Sequence, residues 1–116
     1  MHEIGLMQSA LDMAFERMQS AGAERVLALR FKVGPLSGVV PEALEFAFEA
    51  LSQGTAAEGG RLEIEKVGVV CYCFTCRIEY ELQEIDYTCP HCEGTSIELR
   101  SGSEFELTSL EVSEDV

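Results

Sequence analysis

The chain has 116 residues, of which 47% are hydrophobic and 25% are charged. This length and composition are typical of one compact globular unit. No apolar run approaches the roughly 20 residues that a membrane-spanning helix needs, and the first residues lack the basic and apolar regions of a signal peptide. We therefore expect a cytoplasmic protein that does not insert into a membrane.

The charge balance is strongly acidic, with 8 Lys and Arg against 21 Asp and Glu and a net charge of −13. Because nucleic-acid binding depends on basic side chains that neutralise phosphates, this balance argues against a nucleic-acid partner. The chain also contains five cysteines. An odd number of cysteines without an export signal favours metal or redox chemistry over a disulfide framework.

Apolar residues at three- and four-residue spacing predict two amphipathic helices. The first covers residues 3–21 and stops at Gly22, and the second begins at Pro41 and stops at Gly54. Their buried stripes consist of Ile4, Met7, Leu11, Ala14 and Met18 in the first helix and Leu44, Ala47, Phe48 and Leu51 in the second.

Alternating apolar residues predict three strands, over residues 25–33, 61–70 and 104–112. The alternation slips by one residue in the second and third strands, which predicts bulges that face each other across a paired ladder. The last strand is too short to be stable alone, so we expect it to return to the first sheet. The predicted fold is α+β: a small sheet of about three strands with two helices, and a cysteine-rich insertion between two neighbouring strands.

The insertion carries two CxxC pairs, Cys73 with Cys76 and Cys89 with Cys92, separated by twelve residues. Four thiolates at this spacing can surround Zn²⁺ tetrahedrally, the arrangement of a structural site with no open position. The segment between the pairs is too short for its own core, so the metal must supply much of the folding free energy. The sequence predicts a zinc-ribbon-like module over residues 71–100 and an α+β domain made of residues 1–70 and 101–116.

Other interpretations of this insertion are less well supported. A redox CxxC normally opens a helix after a strand and needs one pair, which counts against a thiol oxidoreductase using Cys73 and Cys76. The fifth thiol, Cys71, shares the strand parity of Cys73 and is a small core side chain or a spare ligand. His91 is expected to be exposed or to support the ligands. The two basic and six acidic residues between positions 71 and 100 give a net charge of −4, which excludes a ribbon that follows a phosphate backbone.

The first three residues form a second candidate metal site. The amine of Met1 and the amide nitrogen and imidazole of His2 can chelate one metal in adjoining rings, and the amide nitrogen of Glu3 can complete a plane. Four nitrogens in a plane suit Ni²⁺ or Cu²⁺. From spacing alone, a frayed terminus with no ligand is the simpler interpretation.

Taken together and in order, these features resemble the HypA/HybF family of hydrogenase-maturation nickel metallochaperones over essentially the full length. The segments that carry the resemblance are Met1-His2-Glu3, Lys32-Val33-Gly34, Ala57-Glu58-Gly59, the two CxxC pairs, Gly102-Ser103-Glu104 and Leu110-Glu111-Val112. The extra Cys71 before the first ligand pair is similar to an enterobacterial branch. No P-loop or hydrolase triad signature accompanies them, so we expect a carrier and not an enzyme.

The resemblance implies two kinds of metal. Ni²⁺ is transient cargo, bound through Met1 and His2, with Glu3 as a backbone ligand or a residue that affects transfer, and one structural Zn²⁺ is held by the four paired cysteines. The implied partners are a nickel-inserting GTPase and the large-subunit precursor of [NiFe] hydrogenase; some members also serve urease, and a homodimer is compatible with the family. A zinc-ribbon adaptor without a nickel role stays open as the alternative.

Overall fold

Two helices pack on one face of a three-stranded sheet in the computed structural model, which describes residues 2–82 and 87–114. The elements in chain order are α1 (His2–Ser20), β1 (Val26–Val33), a 3₁₀ turn (Pro35–Ser37), α2 (Pro41–Ser52), β2 (Arg61–Lys66), β3 (Val70–Cys73), β4 (Ile78–Glu81), β5 (Ile97–Ser101) and β6 (Phe105–Val112). These bounds confirm both predicted helices and the first and third predicted strands to within a residue or two. The second predicted strand ends earlier, at Lys66.

The core lies between the helices and the inner face of the sheet. The largest side chains with almost no exposed surface there are Met7 and Leu11 from α1, Leu44 from α2, and Leu29 and Phe31 from β1. Removing a side chain of this size from water stabilises the fold by about 1.5–3 kcal/mol. The apolar stripes read from the sequence therefore supply most of this core.

The central strand of this sheet is β1, which runs parallel to β2 and antiparallel to β6. The prediction that the cysteine-rich insertion joins two neighbouring strands is wrong, because β1 lies between β2 and β6. The predicted bulge in the last strand is confirmed: the ladder shifts between Arg30–Ser109 and Phe31–Leu107. The slip at Lys66 marks the end of β2 and not a bulge.

A second three-stranded sheet, in the order β4-β3-β5, carries the cysteine-rich segment. The sequence predicted only a small hairpin here, because β5 has few apolar residues to identify it as a strand. The α+β class is otherwise confirmed, with two helices, a three-stranded sheet and a cluster of four cysteines. Within residues 2–82 and 87–114, no helix is both long and apolar enough to cross a bilayer.

The two sheets are joined where two glycines approach each other closely. The N–H of Gly34 donates to the carbonyl oxygen of Glu104 at 2.8 Å, and the N–H of Leu36 donates to that of Gly102 at 2.8 Å. The carboxylate of Glu104 accepts a further bond from the N–H of Gly102 at 2.7 Å, which lowers the pKa of that carboxyl group. A Cβ atom on Gly34 would overlap the carbonyl group of Gly102, and Gly102 itself has a φ of +125°. Glycine is therefore required on both sides of this crossing.

Replacing Gly34 with Ala should lower the free energy of unfolding by about 3 kcal/mol, because the new methyl group meets backbone that cannot move aside. Gly5→Ala is the matched control. Gly5 lies in α1 with open space around it, so alanine there should raise helix stability by up to about 1 kcal/mol. Urea denaturation of the three proteins measures both effects, and equal stability of Gly34→Ala and the parent would contradict the tight crossing.

Candidate metal centre

Both CxxC pairs lie in tight turns with the same backbone geometry. After Cys73, the N–H of Arg77 turns back to donate to the Cys73 carbonyl oxygen at 2.7 Å, and after Cys89 the N–H of Glu93 does the same at 2.8 Å. Arg77 and Glu93 share a left-handed φ of 59°. This conformation is uncommon for residues other than glycine, and its repetition shows that the two halves of the segment fold in the same way.

The two turns bring four thiols together. The Sγ atoms of the four paired cysteines all lie within 4.8 Å of one another; those of Cys73 and Cys92 are 3.7 Å apart, and those of Cys76 and Cys89 are 3.9 Å apart. A tetrahedral ion with metal–sulfur distances of roughly 2.3 Å holds its ligands about 3.8 Å apart. The set therefore fits one such ion. A disulfide needs about 2.05 Å between sulfurs, and all five cysteines are free.

The pKa values of Cys89 and Cys76 are shifted in opposite directions, which shows how strongly the four thiols interact. Backbone N–H groups of Cys92 and His91 point at the sulfur of Cys89 and lower its pKa to about 7. The pKa of Cys76 is raised to about 12, first by its hydrogen bond with Cys92 and then by burial and the other thiols. Four thiolates in contact repel one another, so the set retains protons that a divalent metal would displace.

The fifth thiol and the histidine inside the second pair lie outside this group. Cys71 is fully buried on the same face of β3 as Cys73, as the strand parity predicted, but it is not among the clustered thiols. The side chain of His91 is exposed. In residues 2–82 and 87–114, the four cysteines are the one group of three or more side chains arranged to hold a metal.

Of the three residues of the predicted N-terminal site, the structure describes His2 and Glu3, whereas Met1 lies outside the described residues. His2 begins α1 with its side chain 59% exposed, and its Nδ1 lies 3.8 Å from Oε2 of Glu3. The Glu3 carboxylate is buried and accepts a hydrogen bond from the N–H of Val40 at 3.1 Å. That bond is the main reason for the lowered pKa of Glu3. The carboxylate of Glu3 thus connects the start of α1 to the residue that precedes α2.

Several contacts around these sites were not predicted from the sequence. Leu36 and Tyr80 pack with the buried cysteines Cys71, Cys73 and Cys89, and the N–H of Val40 donates to the Glu3 carboxylate. The alternation of Ile78 and Tyr80 opposite Cys73 and Cys71 was the available signal for Tyr80. Contacts across many residues, such as Glu3 with Val40, leave no local pattern in a single sequence.

This fold and this thiol group define a metal-binding α+β protein, and comparison with known proteins supplies its family. A model of the family described as "Hydrogenase/urease nickel incorporation, metallochaperone, hypA" matches residues 1–112. The hydrogenase maturation factor HypA of a Picosynechococcus species is 43% identical over 112 residues, 97% of this chain and 99% of that protein. Its counterpart in a Roseiflexus species is 40% identical over 116 residues, 99% and 94% of the two chains.

The chain belongs to the HypA family. Its members are hydrogenase maturation factors and metallochaperones and not enzymes, in agreement with the sequence prediction. Two solved structures share the fold: the solution structure of the nickel metallochaperone HypA from Helicobacter pylori has a TM-score of 0.62 and 21% identity. A second HypA solution structure has a TM-score of 0.71 and 23% identity, and each comparison covers 97% of both chains.

Replacing Cys92 with Ala should lower the affinity for a tetrahedral divalent metal by roughly a hundredfold or more, because a closed site loses one of four ligands. Cys71→Ala is the control, since it removes a thiol that lies outside the cluster. Co²⁺ titration followed by absorption, with elemental analysis of the purified proteins, separates the two variants. Equal loss of metal in both would mean that Cys71 is a ligand.

Proposed function

We propose that this protein is a nickel metallochaperone that binds Ni²⁺ at its N-terminus and delivers it, with a partner GTPase, to the large-subunit precursor of [NiFe] hydrogenase. The observation that carries the proposal is the family match over residues 1–112, which includes His2 and all four clustered cysteines. The proposal also implies a cytoplasmic location, a reducing compartment in which cysteines remain available as metal ligands.

One Zn²⁺ is the resident metal of this proposal, held by Cys73, Cys76, Cys89 and Cys92. Bound zinc would cross-link the two turns and neutralise the thiolates, and it has no open coordination position for a substrate. The turns that aim the thiols belong to a sheet of short strands, β3 to β5, with few buried side chains besides the cysteines and Tyr80. The role we assign to zinc is therefore structural.

The start of α1 is suited to transient nickel binding for a reason of helix geometry. The first N–H groups of a helix have no intrahelical acceptor, so the amides of His2 and Glu3 make no helix hydrogen bonds, and the Glu3 N–H donates instead to its own carboxylate. The exposed imidazole of His2 supplies a further nitrogen, and the expected amine of Met1 a fourth, a set that suits tetragonal Ni²⁺. The positive end of the helix dipole disfavours a bound cation, and the nearby Glu3 carboxylate opposes this effect.

In this proposal the Glu3 side chain positions the site and does not bind the metal. Its carboxylate is already occupied by the N–H of Val40, and only 11% of the side chain is exposed. It fixes the first turn of α1 against the segment before α2, while the side chain of His2 remains exposed. An exposed imidazole on a fixed helical turn gives the incoming ligands of a partner access to the nickel.

His2→Ala should abolish tight Ni²⁺ binding, with a loss of roughly a hundredfold or more, because it removes the imidazole from the nitrogen set. His91→Ala is the matched control, since it removes the other histidine of the chain and should leave nickel affinity unchanged. Calorimetry on untagged, zinc-loaded protein measures both, with zinc content determined in the same samples. Nickel binding that is insensitive to His2 would favour the zinc-ribbon adaptor instead.

Glu3→Ala should lower both the melting temperature and the nickel affinity, the latter by roughly tenfold, because the first turn of α1 loses its anchor. Glu3→Gln retains an acceptor oxygen for Val40 and should lie between Glu3→Ala and the parent. Glu16→Ala, an exposed substitution in the same helix, controls for loss of one negative charge. If Glu3→Ala and Glu16→Ala behave alike in both measurements, the anchoring role is wrong.

A further inference from the structure

The hydroxyl group of Tyr80 is buried without a hydrogen-bond partner. Tyr80 is 9% exposed and lies in β4. Its hydroxyl oxygen is the one buried side-chain nitrogen or oxygen without a partner in the part of the chain that the structure describes. Because tyrosine hydroxyls in protein interiors usually find a partner, this donor needs an acceptor nearby, and the sulfur of Cys71, which interacts with the Tyr80 hydroxyl group, is one candidate.

The side chains around Tyr80 show which groups could accept its hydrogen bond. Tyr80 pairs with Cys71 across the β3–β4 ladder, and Ile78 pairs with Cys73, so Tyr80 and Cys73 are diagonal neighbours on one face. Tyr80 also packs in one cluster with Cys71, Cys73 and Cys89, and none of these three thiols is exposed. The Tyr80 side chain therefore packs in one cluster with two of the four paired cysteines, Cys73 and Cys89.

The chemistry of the Tyr80 hydroxyl group favours a donor role. A tyrosine phenol has an ordinary pKa of about 10, so it carries its proton at neutral pH and can donate it in a hydrogen bond. A neutral thiol is a weak acceptor, whereas a metal-bound thiolate carries charge and accepts a stronger hydrogen bond.

We propose that the Tyr80 hydroxyl group donates a hydrogen bond to a metal-bound thiolate on the Cys73–Cys89 side of the cluster, and so acts as a positioning residue of the resident metal centre. This inference rests on the proposed four-cysteine zinc site. The backbone N–H groups of Cys76 and His91 already point at the sulfurs of Cys73 and Cys89, each at 3.4 Å. The tyrosine adds a donor from a different strand, which ties β4 to the metal.

Tyr80→Phe tests the proposal, because it removes the oxygen and keeps the ring that fills the core. We expect zinc affinity, measured by competition with a chelator, to fall roughly tenfold, the lower end of the range for partners of metal ligands. In the Co²⁺-substituted protein, the sulfur-to-metal charge-transfer band should move to lower energy, since the thiolate that loses its donor is more electron-rich. A merely structural role would not move this band.

Tyr72→Phe is the matched control. Tyr72 lies on the other face of β3, where its ring contacts Phe74 and Arg100, so its hydroxyl group should not affect either measurement. Unchanged zinc affinity and an unchanged band in Tyr80→Phe would overturn the proposal. Failure of the parent to bind a metal through four thiolates would instead remove the site itself.

A second pair of variants identifies the acceptor. Cys71 lies directly opposite Tyr80, so the experiment is repeated in a Cys71→Ala background. If the hydrogen bond goes to a ligand thiolate, Tyr80→Phe should produce the same tenfold loss and the same band shift in that background. Disappearance of both effects would show that the hydroxyl acts on Cys71, and the proposal would be wrong.

Discussion

The hydrogen bonds between the Gly34 segment and the Gly102 segment are the constraint on which both candidate sites depend. They fix the position of residues 34–40, which leave β1 and lead into α2. Leu36 of this segment packs against the cysteine cluster, while Val40 at its other end binds the carboxylate of Glu3. The same seven residues therefore contact the environment of the thiols and the first turn of α1. A change in their course would disturb both.

Local patterns were sufficient to predict the helices, two strands and the thiol set. Helical periodicity is strong where one face is buried and the other is solvated, as in α1 and α2, and CxxC spacing is a covalent property that needs no tertiary information. Strand β5 carries Ile97 as its one half-buried hydrophobic residue. It is a strand because its backbone pairs with β3, a contact that no side-chain pattern records.

The second strand was predicted to continue past Lys66, where β2 ends, for a related reason. The alternation continues past Lys66 because Val69 is apolar for another reason: it is buried in the cluster of side chains around Cys71 and Tyr80, which belongs to the other sheet. The sequence therefore contained two short apolar patterns that belong to different cores. Sheet order was equally inaccessible, since nothing in the composition of β2 and β6 shows that β1 lies between them.

The contrast between the two candidate sites follows from burial. Cys73 and Cys89 have no exposed surface and accept backbone hydrogen bonds, whereas Cys76 is half-buried and Cys92 is exposed, so two of the four thiols are shielded from an incoming ligand. His2, by contrast, projects from the end of a helix into solvent. Ligand exchange at an exposed terminus can proceed stepwise, because a partner ligand can approach before the original ligands leave. A chain that must keep one metal and release another needs this difference in accessibility. In the proposed function, the two buried thiols hold the resident metal, and the exposed His2 lies at the helix end where the transferable metal would bind.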